Sequence, residues 1–184
     1  MQLEQDKYYH LYNRTNNREK LFKEPKNYLY FLSKFRKRFT QPLTTFAYCL
    51  MPTHFHFLVR IDAPETKKLN KQIGIFLSAY TKAINNAYER NGSLFQEHTK
   101  AIIIDDHSYL ITLLTYIHQN PVRAKLVQSL TEWPYSSYPD LAGFRNGTLV
   151  DKTLVNKNFT SVQAFRAFSN NSIKGVKSIY WVDP

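Results

Sequence analysis

Two histidines one residue apart are the side chains of this sequence best suited to chemistry. His54 and His56 lie in an apolar run that extends over residues 48–60. In a β-strand, residues i and i+2 point to the same face of the sheet, so a strand here holds two imidazoles side by side. Neutral imidazole nitrogens bind divalent metal ions, and the pair therefore predicts a metal site that is open to substrate. The alternative is a pair of packed core histidines.

A tyrosine in a later helical segment is the candidate nucleophile. Tyr116 lies at the edge of an apolar stripe that includes Leu113 and Ile117. A phenol in that position can reach an open sheet face, although packing at the margin of the core is the commoner role of such a tyrosine. Tyr80, in an earlier predicted helix, is the rival nucleophile. It falls on that helix's apolar stripe, so core packing explains it better.

The elements that must position these side chains are predicted in the order β, α, β, β, α, β, followed by a helix. Strands are predicted at residues 7–14, 44–51, 53–61 and 99–104, and helices at residues 25–40, 67–90 and 107–119. This order predicts an α+β fold of the ferredoxin-like (RRM-like) βαββαβ type, an antiparallel sheet with helices on one face. The first and third strands are central in that topology. The additional C-terminal helix carries Tyr116, the candidate nucleophile.

The predicted domain with this fold covers residues 1–140. Residues 141–184 form a predicted C-terminal extension, either a small appendage or partly flexible, because they are poorer in periodicity and rich in Asn, Lys and Ser. One short helix is expected there, around residues 165–168.

Composition restricts the partners and the compartment. The formal net charge is +11, with 25 Lys and Arg against 14 Asp and Glu, which favours binding to polyanions. Some of the 13 tyrosines and 13 phenylalanines can stack on unpaired bases. A single cysteine, Cys49, makes neither an internal disulfide nor a cysteine-based zinc site. The polar N-terminus and the lack of a membrane-length apolar stretch predict a cytoplasmic protein and no membrane partner.

Four segments, taken in chain order, carry a resemblance to a known family: YHLYNR at 9–14, YCLMPTHFH at 48–56, YIHQNPVRA at 116–124 and WPYSSY at 133–138. The first three resemble segments of the single-tyrosine HUH transposases (His–hydrophobic–His), which are the insertion-sequence 200-like enzymes. The fourth is similar to a segment of their relatives, the REP-associated tyrosine transposases, which accompany repetitive extragenic palindromes. The resemblance implies a bacterial cytoplasmic protein, associated in use with the nucleoid. A departure follows residues 94–96, where Glu97 and His98 replace the basic–aromatic pair of many relatives.

The resemblance implies a concrete activity on single-stranded or hairpin DNA. Tyr116 would attack the scissile phosphate, leaving a 5′-phosphotyrosine bond and a free 3′-hydroxyl, and a second 3′-hydroxyl would rejoin the strands. His54, His56 and Asn120 would hold Mg²⁺ or Mn²⁺. A tyrosine hydroxyl with an ordinary pKa near 10 is a weak nucleophile at neutral pH, so help from a metal is chemically reasonable. The resemblance leaves open whether the protein is a homodimer or a monomer.

Asn120 has a second interpretation. Asn120-Pro121 is also typical of an N-cap followed by proline at the first position of a new helix. In addition, a proline disfavours helical geometry at the residue before it.

Basic residues near the predicted site and along the first helix are the candidate DNA contacts. Each group has a simpler interpretation as a solvated surface. The candidates are Arg14, Arg18, Arg36, Arg38, Arg123 and Lys125.

The leading hypothesis is a metal-dependent single-stranded DNA endonuclease and strand transferase, and it has three alternatives. The first is a non-catalytic module that binds single-stranded nucleic acid. The second is a metal phosphoesterase that uses activated water, and the third is a domesticated transposase that nicks DNA without mobilising its own gene.

Overall fold

The computed structural model describes residues 2–171, and its centre is a four-stranded antiparallel sheet. The strands are β1 (Tyr8–Arg14), β2 (Leu43–Met51), β3 (His54–Ile61) and β4 (Lys100–Ile104). Their order across the sheet is β2-β3-β1-β4, and each neighbouring pair is antiparallel. The predicted ferredoxin-like α+β fold is confirmed, with β1 and β3 in the centre of the sheet.

Six α-helices are present in the described part of the chain. They are α1 (Pro25–Phe39), α2 (Thr66–Ala87), α3 (Tyr109–Arg123), α4 (Tyr138–Leu141), α5 (Thr153–Asn158) and α6 (Val162–Asn170). The start of α1 follows from its sequence, because Glu24 and Asn27 form a reciprocal capping box and Pro25 occupies the first turn. No helix in residues 2–171 is both long enough and apolar enough to cross a membrane.

The sheet separates two helical layers. On one face, Phe57 of β3 stacks on Phe35 of α1 with ring centroids 4.1 Å apart, and Phe31 of α1 contacts Phe76 of α2 at 4.8 Å. Since side chains alternate along a strand, the two histidines of β3 point to the other face. Helix α3 covers that face, packing on β2 and β3. Helix α3, which carries the candidate nucleophile Tyr116, is therefore the only long helix among the described residues that shares a face with the imidazole pair.

The edge of β2 that faces away from β3 is covered by the irregular segment of residues 133–137. The backbone N–H of Leu50 donates to the carbonyl of Tyr135 at 2.9 Å, and Ser137 N–H donates to the carbonyl of Tyr48 at 2.9 Å. The Trp133 indole N–H donates to the Leu50 carbonyl at 3.0 Å. These bonds occupy backbone groups that would otherwise form an open sheet edge beside the site.

An ion pair fixes the loop that follows this segment. The buried carboxylate of Asp140 accepts hydrogen bonds from the Arg145 guanidinium at 2.6 and 2.8 Å. It also accepts the backbone N–H of Gly147 at 2.9 Å. A Cβ atom at position 147 would overlap the Asp140 carboxylate, so this close approach requires glycine.

Helix α3 continues through Pro121, and the interpretation of Asn120 as the cap of a new helix is wrong. Pro121 has no N–H for the carbonyl of Ile117, but the Asn120 side-chain amide donates to that carbonyl at 3.3 Å and to the Tyr116 carbonyl at 2.9 Å. The side chain thus replaces the missing backbone donor. The helix ends only at Arg123, before Lys125 adopts a φ of +56°.

The described part of the C-terminal extension packs on the rest of the chain. Phe165, in α6, is fully buried and its ring lies 6.0 Å from that of Tyr138. The expected short helix around residues 165–168 is confirmed as part of α6. Residues 172–184 of the predicted extension lie outside the described residues, and the boundary at residues 140 and 141 stays a prediction.

Candidate active site

Strand β3 presents His54 and His56 on the face covered by α3. Their ring centroids are 4.9 Å apart at an interplanar angle of 88°, and His56 is completely shielded from solvent. In the sheet register, Arg14 of β1 lies opposite His54 and Tyr12 lies opposite His56. The two rings are thus held on a rigid central strand.

Each of the two rings is oriented by a hydrogen bond at its Nδ1 atom. His56 Nδ1 lies 2.9 Å from His10 Nε2, and His54 Nδ1 lies 3.0 Å from Thr53 Oγ1. The Nε2 atoms of His54 and His56 are buried, and neither has a hydrogen-bond partner in the described part of the chain. A buried polar atom without a partner is costly, whereas a metal ligand needs a lone pair on one nitrogen and an orienting partner on the other. The pair therefore fits a divalent metal ion.

The ring environments keep the imidazoles neutral. Burial, and then the positive charge of Arg14, lower the pKa of His54 to about 4. Burial is also the main cause that holds the pKa of His56 well below its ordinary value of 6.5, with smaller effects from His54 and His10. Neutral imidazole is the form that binds metal ions, so at pH 7 both rings have the protonation state that metal binding requires.

Helix α3 brings a phenol and a guanidinium to the same place. Tyr116 is 3% exposed, and its ring centroid lies 6.4 Å from that of His56. The Arg123 guanidinium, two helical turns later, lies 5.4 Å from the centre of the Tyr116 ring. A phenol, a guanidinium and two neutral imidazoles therefore meet on one sheet face, and these are groups of the kinds that can support attack on a phosphodiester.

Residues 4–120 of the chain match the family model described as "Transposase IS200 like". The chain belongs to the IS200-like transposase family. A Haemophilus influenzae protein named "Putative REP-associated tyrosine transposase" is 27% identical over 122 residues, which cover 59% of this chain and 69% of that protein. The fold is also similar to a solved structure of a REP-associated tyrosine transposase bound to a REP hairpin. The TM-score is 0.59 at 17% identity, covering 84% of this chain and 93% of the other.

Membership confirms the family predicted from the sequence motifs and shows that the protein is an enzyme that acts on DNA. The two tyrosines considered as candidate nucleophiles, Tyr116 and Tyr80, lie on opposite faces of the sheet. The hydroxyl of Tyr80 donates to the backbone carbonyl of Leu21 at 3.0 Å, and its ring packs on Phe31, on the face of the sheet away from His56. Tyr80 is a core residue.

Asn120, the predicted third ligand, is buried one turn after Tyr116. Its amide nitrogen is bound to helix backbone, so its oxygen is the atom left for a metal. No group of three His, Cys, Asp or Glu residues that could hold a metal occurs in the described part of the chain, and an amide is outside those four types. Ligation by Asn120 stays a prediction.

The candidate DNA contacts fall into two groups. Arg14 and Arg123 border the site. Arg14 lies opposite His54 in the sheet register, and Arg123 contacts the ring of Tyr116. Lys125 and Arg18 are exposed just beyond α3 and β1. The structure does not bring the remaining two candidates, both on α1, to the site, because α1 covers the other face. These are Arg36 and Arg38.

Sequence reasoning left His10 and His118 without a role. His10 is completely buried and bonds to the ring of His56, so it belongs to the site. The only sequence signal for this contact is the pairing of β1 with β3. His118 bonds instead to Ser137 Oγ at 2.8 Å and lies against Tyr138, in the core between α3 and the segment that closes β2.

Proposed function

We propose that the protein is a metal-dependent single-stranded DNA endonuclease and strand transferase that works through a 5′-phosphotyrosine intermediate on hairpin or palindromic DNA. The observation that carries the proposal is the contact between Tyr116 and His56 on one sheet face. The contact places a phenol beside two imidazoles whose Nε2 atoms have no hydrogen-bond partner in the described part of the chain.

His54 and His56 would hold Mg²⁺ or Mn²⁺ through their Nε2 atoms, and the oxygen of Asn120 is the proposed third protein ligand. When bound, the ion would supply charge neutralisation and polarisation at the scissile phosphate. His10 keeps His56 in the tautomer that leaves Nε2 unprotonated, by holding the proton between the two rings at His56 Nδ1.

The chain's own residues perform the transfer. The Tyr116 oxygen forms a bond to phosphorus as the bond between phosphorus and the 3′ oxygen breaks, and the phenol proton passes in net terms to the departing 3′-hydroxyl. Arg123, next to the phenol, stabilises the negative charge that develops on the attacking oxygen. Attack by a second 3′-hydroxyl reverses these bond changes, so the strands are rejoined without an external energy source.

Hairpin DNA is the proposed substrate. It is supported by the net charge of +11 and by the similar REP-associated transposase that was solved with a REP hairpin. The proposed setting is the bacterial cytoplasm, where the nucleoid supplies such DNA.

The test is a search for a covalent adduct. The protein is incubated with Mn²⁺ and a labelled library of single-stranded hairpins with randomised stems and flanks, and adducts are resolved under denaturing conditions. We expect an adduct that disappears with a chelator, in Tyr116→Phe and in His54→Ala. Tyr109→Phe removes one oxygen from another buried tyrosine of the same helix and is expected to retain the adduct.

Three results would contradict the proposal or part of it. Binding of the library with no adduct at all would make the protein a non-catalytic binding module. Cleaved product without a protein adduct would indicate hydrolysis by activated water. An adduct that survives in Tyr116→Phe would remove Tyr116 from its proposed role.

A further inference from the structure

A large cleft lies on the face of the sheet opposite the imidazole pair, between α2 and the loop of residues 93–99. Its volume is about 840 Å³. Pockets that enclose small organic ligands have volumes of roughly 300–1,000 Å³. Most of its lining side chains are polar, and they include the amides of Asn16 and Gln96. The apolar side chains Ile73, Leu77 and Phe95 also line it. Apolar side chains offer a surface on which a flat base can stack, and amides beside them can form hydrogen bonds to its edge.

The charge of the lining distinguishes this cleft from the rest of the surface. No Lys or Arg is among its lining residues, although the chain has 25 of them. Its only acidic group is Glu97, which lies 3.5 Å from His98 at an exposed position. Backbone phosphates are bound by cations, whereas bases are recognised by stacking and by hydrogen bonds to their edges. Asn and Gln are the side chains that make paired hydrogen bonds to adenine. The lining therefore suits bases and not phosphates.

Gly74 is an independent sign that this space is used. It lies in the middle of the 22-residue helix α2, where glycine is among the least favourable residues. A Cβ atom at Gly74 would meet nothing within 4 Å, and its backbone has no positive φ. Neither packing nor conformation requires glycine here. An added side chain would instead enter the cleft, so room for a ligand explains the residue.

The cleft is connected to the proposed active site through β1. Asn13 lines the cleft, and its amide donates to Thr99 Oγ1 at 3.1 Å. The next residue, Arg14, lies opposite His54, and its carbonyl accepts the backbone N–H of Gln96 at 2.8 Å. Consecutive residues of a strand point to opposite faces. A DNA strand that passes around this end of the sheet would therefore reach both places.

We propose that the cleft binds unpaired bases of the DNA strand that enters the active site, and that Asn16 and Gln96 read the edges of those bases. This inference rests on the proposed function to the extent that single-stranded DNA is the ligand. It adds a site that selects the sequence, separate from the residues that carry out the chemistry.

The test measures binding without catalysis. Fluorescein-labelled dA12, dC12 and dT12 are titrated with the full chain in a chelator, and anisotropy gives each affinity. We expect at least a fivefold difference between the best and the worst oligonucleotide for the native protein. Gly74→Leu, which fills the cleft, should weaken the best oligonucleotide at least tenfold, and Gln96→Ala should reduce the preference to less than twofold.

The control is Ala87→Leu, which adds the same side chain to an exposed position of the same helix outside the cleft. It should bind all three oligonucleotides within twofold of native. Thermal unfolding of Gly74→Leu and of the milder Gly74→Ala shows that the fold is kept. Equal binding of the three oligonucleotides by the native protein, or native affinities in Gly74→Leu, would overturn the inference.

A second measurement locates the bases directly. Oligo-dT carrying 5-iododeoxyuridine is cross-linked by light, and the modified peptides are identified by mass spectrometry. Cross-links to α2 or to residues 93–99 are expected, and cross-links found only elsewhere would overturn the inference. Since neither measurement uses metal or Tyr116, failure to form the covalent adduct leaves these results interpretable, and the reverse also holds.

Discussion

The bond between His10 and His56 provides a direct test of the metal site. Replacing His10 with alanine leaves His56 Nδ1 without its partner and allows the ring to change tautomer or rotate. Loss of such an orienting partner typically weakens metal binding about 10- to 100-fold, or about 1.4–2.7 kcal/mol. Both rings are completely buried, so water does not easily replace His10. We therefore expect a loss near the upper end of that range.

The assay is calorimetric titration of the DNA-free protein with Mn²⁺. His118→Ala is the matched control, because His118 is equally buried and makes a bond of similar length, 2.8 Å, but to Ser137. It should lower the stability of the fold and leave the Mn²⁺ affinity within twofold of native. His10→Gln, which retains a side-chain acceptor for the His56 Nδ1–H, should recover part of the affinity.

An unchanged Mn²⁺ affinity in His10→Ala would refute the reasoning, because His56 would then be oriented without its partner or would not be a ligand. Equal losses in His10→Ala and His118→Ala would show that loosening of the core, and not orientation of His56, controls the affinity.

Three further predictions concern acid stability, loop packing and DNA affinity. Burial lowers the pKa of His118 to about 3. Below pH 6.5 the unfolded chain therefore binds a proton that the folded chain does not, and the free energy of unfolding decreases as the pH is lowered. From pH 7.5 to 5, His118→Gln should lose about 2 kcal/mol less than native in urea unfolding; equal losses would contradict this. Gly147→Ala should destabilise the fold by about 1–3 kcal/mol through its clash with Asp140, whereas Gly74→Ala should stabilise it by up to about 1 kcal/mol, measured by thermal unfolding. Log affinity for single-stranded DNA should fall linearly with log salt, and Arg123→Ala should reduce the slope by about 0.7; a native slope near zero would argue against DNA as the ligand.

The sequence was sufficient to predict the strands and the first two helices, because the residue patterns that indicate them are local. Alternation in β1 and β3 and the apolar stripes of α1 and α2 gave bounds within one to three residues of the structure. The end of α3 was predicted too early because Pro121 lacks the N–H that would continue the helix. The side-chain amide of Asn120 replaces that donor, and hydrophobic periodicity does not reveal such a bond. Local signals are reliable where the backbone satisfies its own hydrogen bonds and fail where a side chain does so.

The site was predictable in its members but not in its connections. His54 and His56 stand out by residue type and spacing and Tyr116 by the family resemblance, whereas the contact of His10 with His56 depends on strand register. Tyr12, not His10, is the residue directly opposite His56, so the two histidines meet diagonally across the sheet. Similarly, the cleft beside Gly74 depends on how α2 and the loop of residues 93–99 pack together, and no single segment shows it.

The energetics of buried imidazoles separate a metal site from a histidine core. A buried nitrogen without a partner costs about 1–3 kcal/mol, and an apolar side chain of similar size avoids that cost. If His54 is a metal ligand, His54→Leu should therefore be as stable as native in a chelator, or more so. Mn²⁺ at 100 times its dissociation constant should then stabilise the native protein by about 2.7 kcal/mol and leave the variant unchanged.

Thermal unfolding with chelator and with Mn²⁺ measures both quantities, and Asn27→Ala, which breaks the capping box of α1 far from the site, is the control expected to respond to Mn²⁺ as native does. A structural core histidine predicts a different pattern: His54→Leu would be destabilised to the same extent in both conditions, and Mn²⁺ would not affect the native protein. That result would remove the metal from the mechanism and leave the contact between Tyr116 and His56 as packing alone.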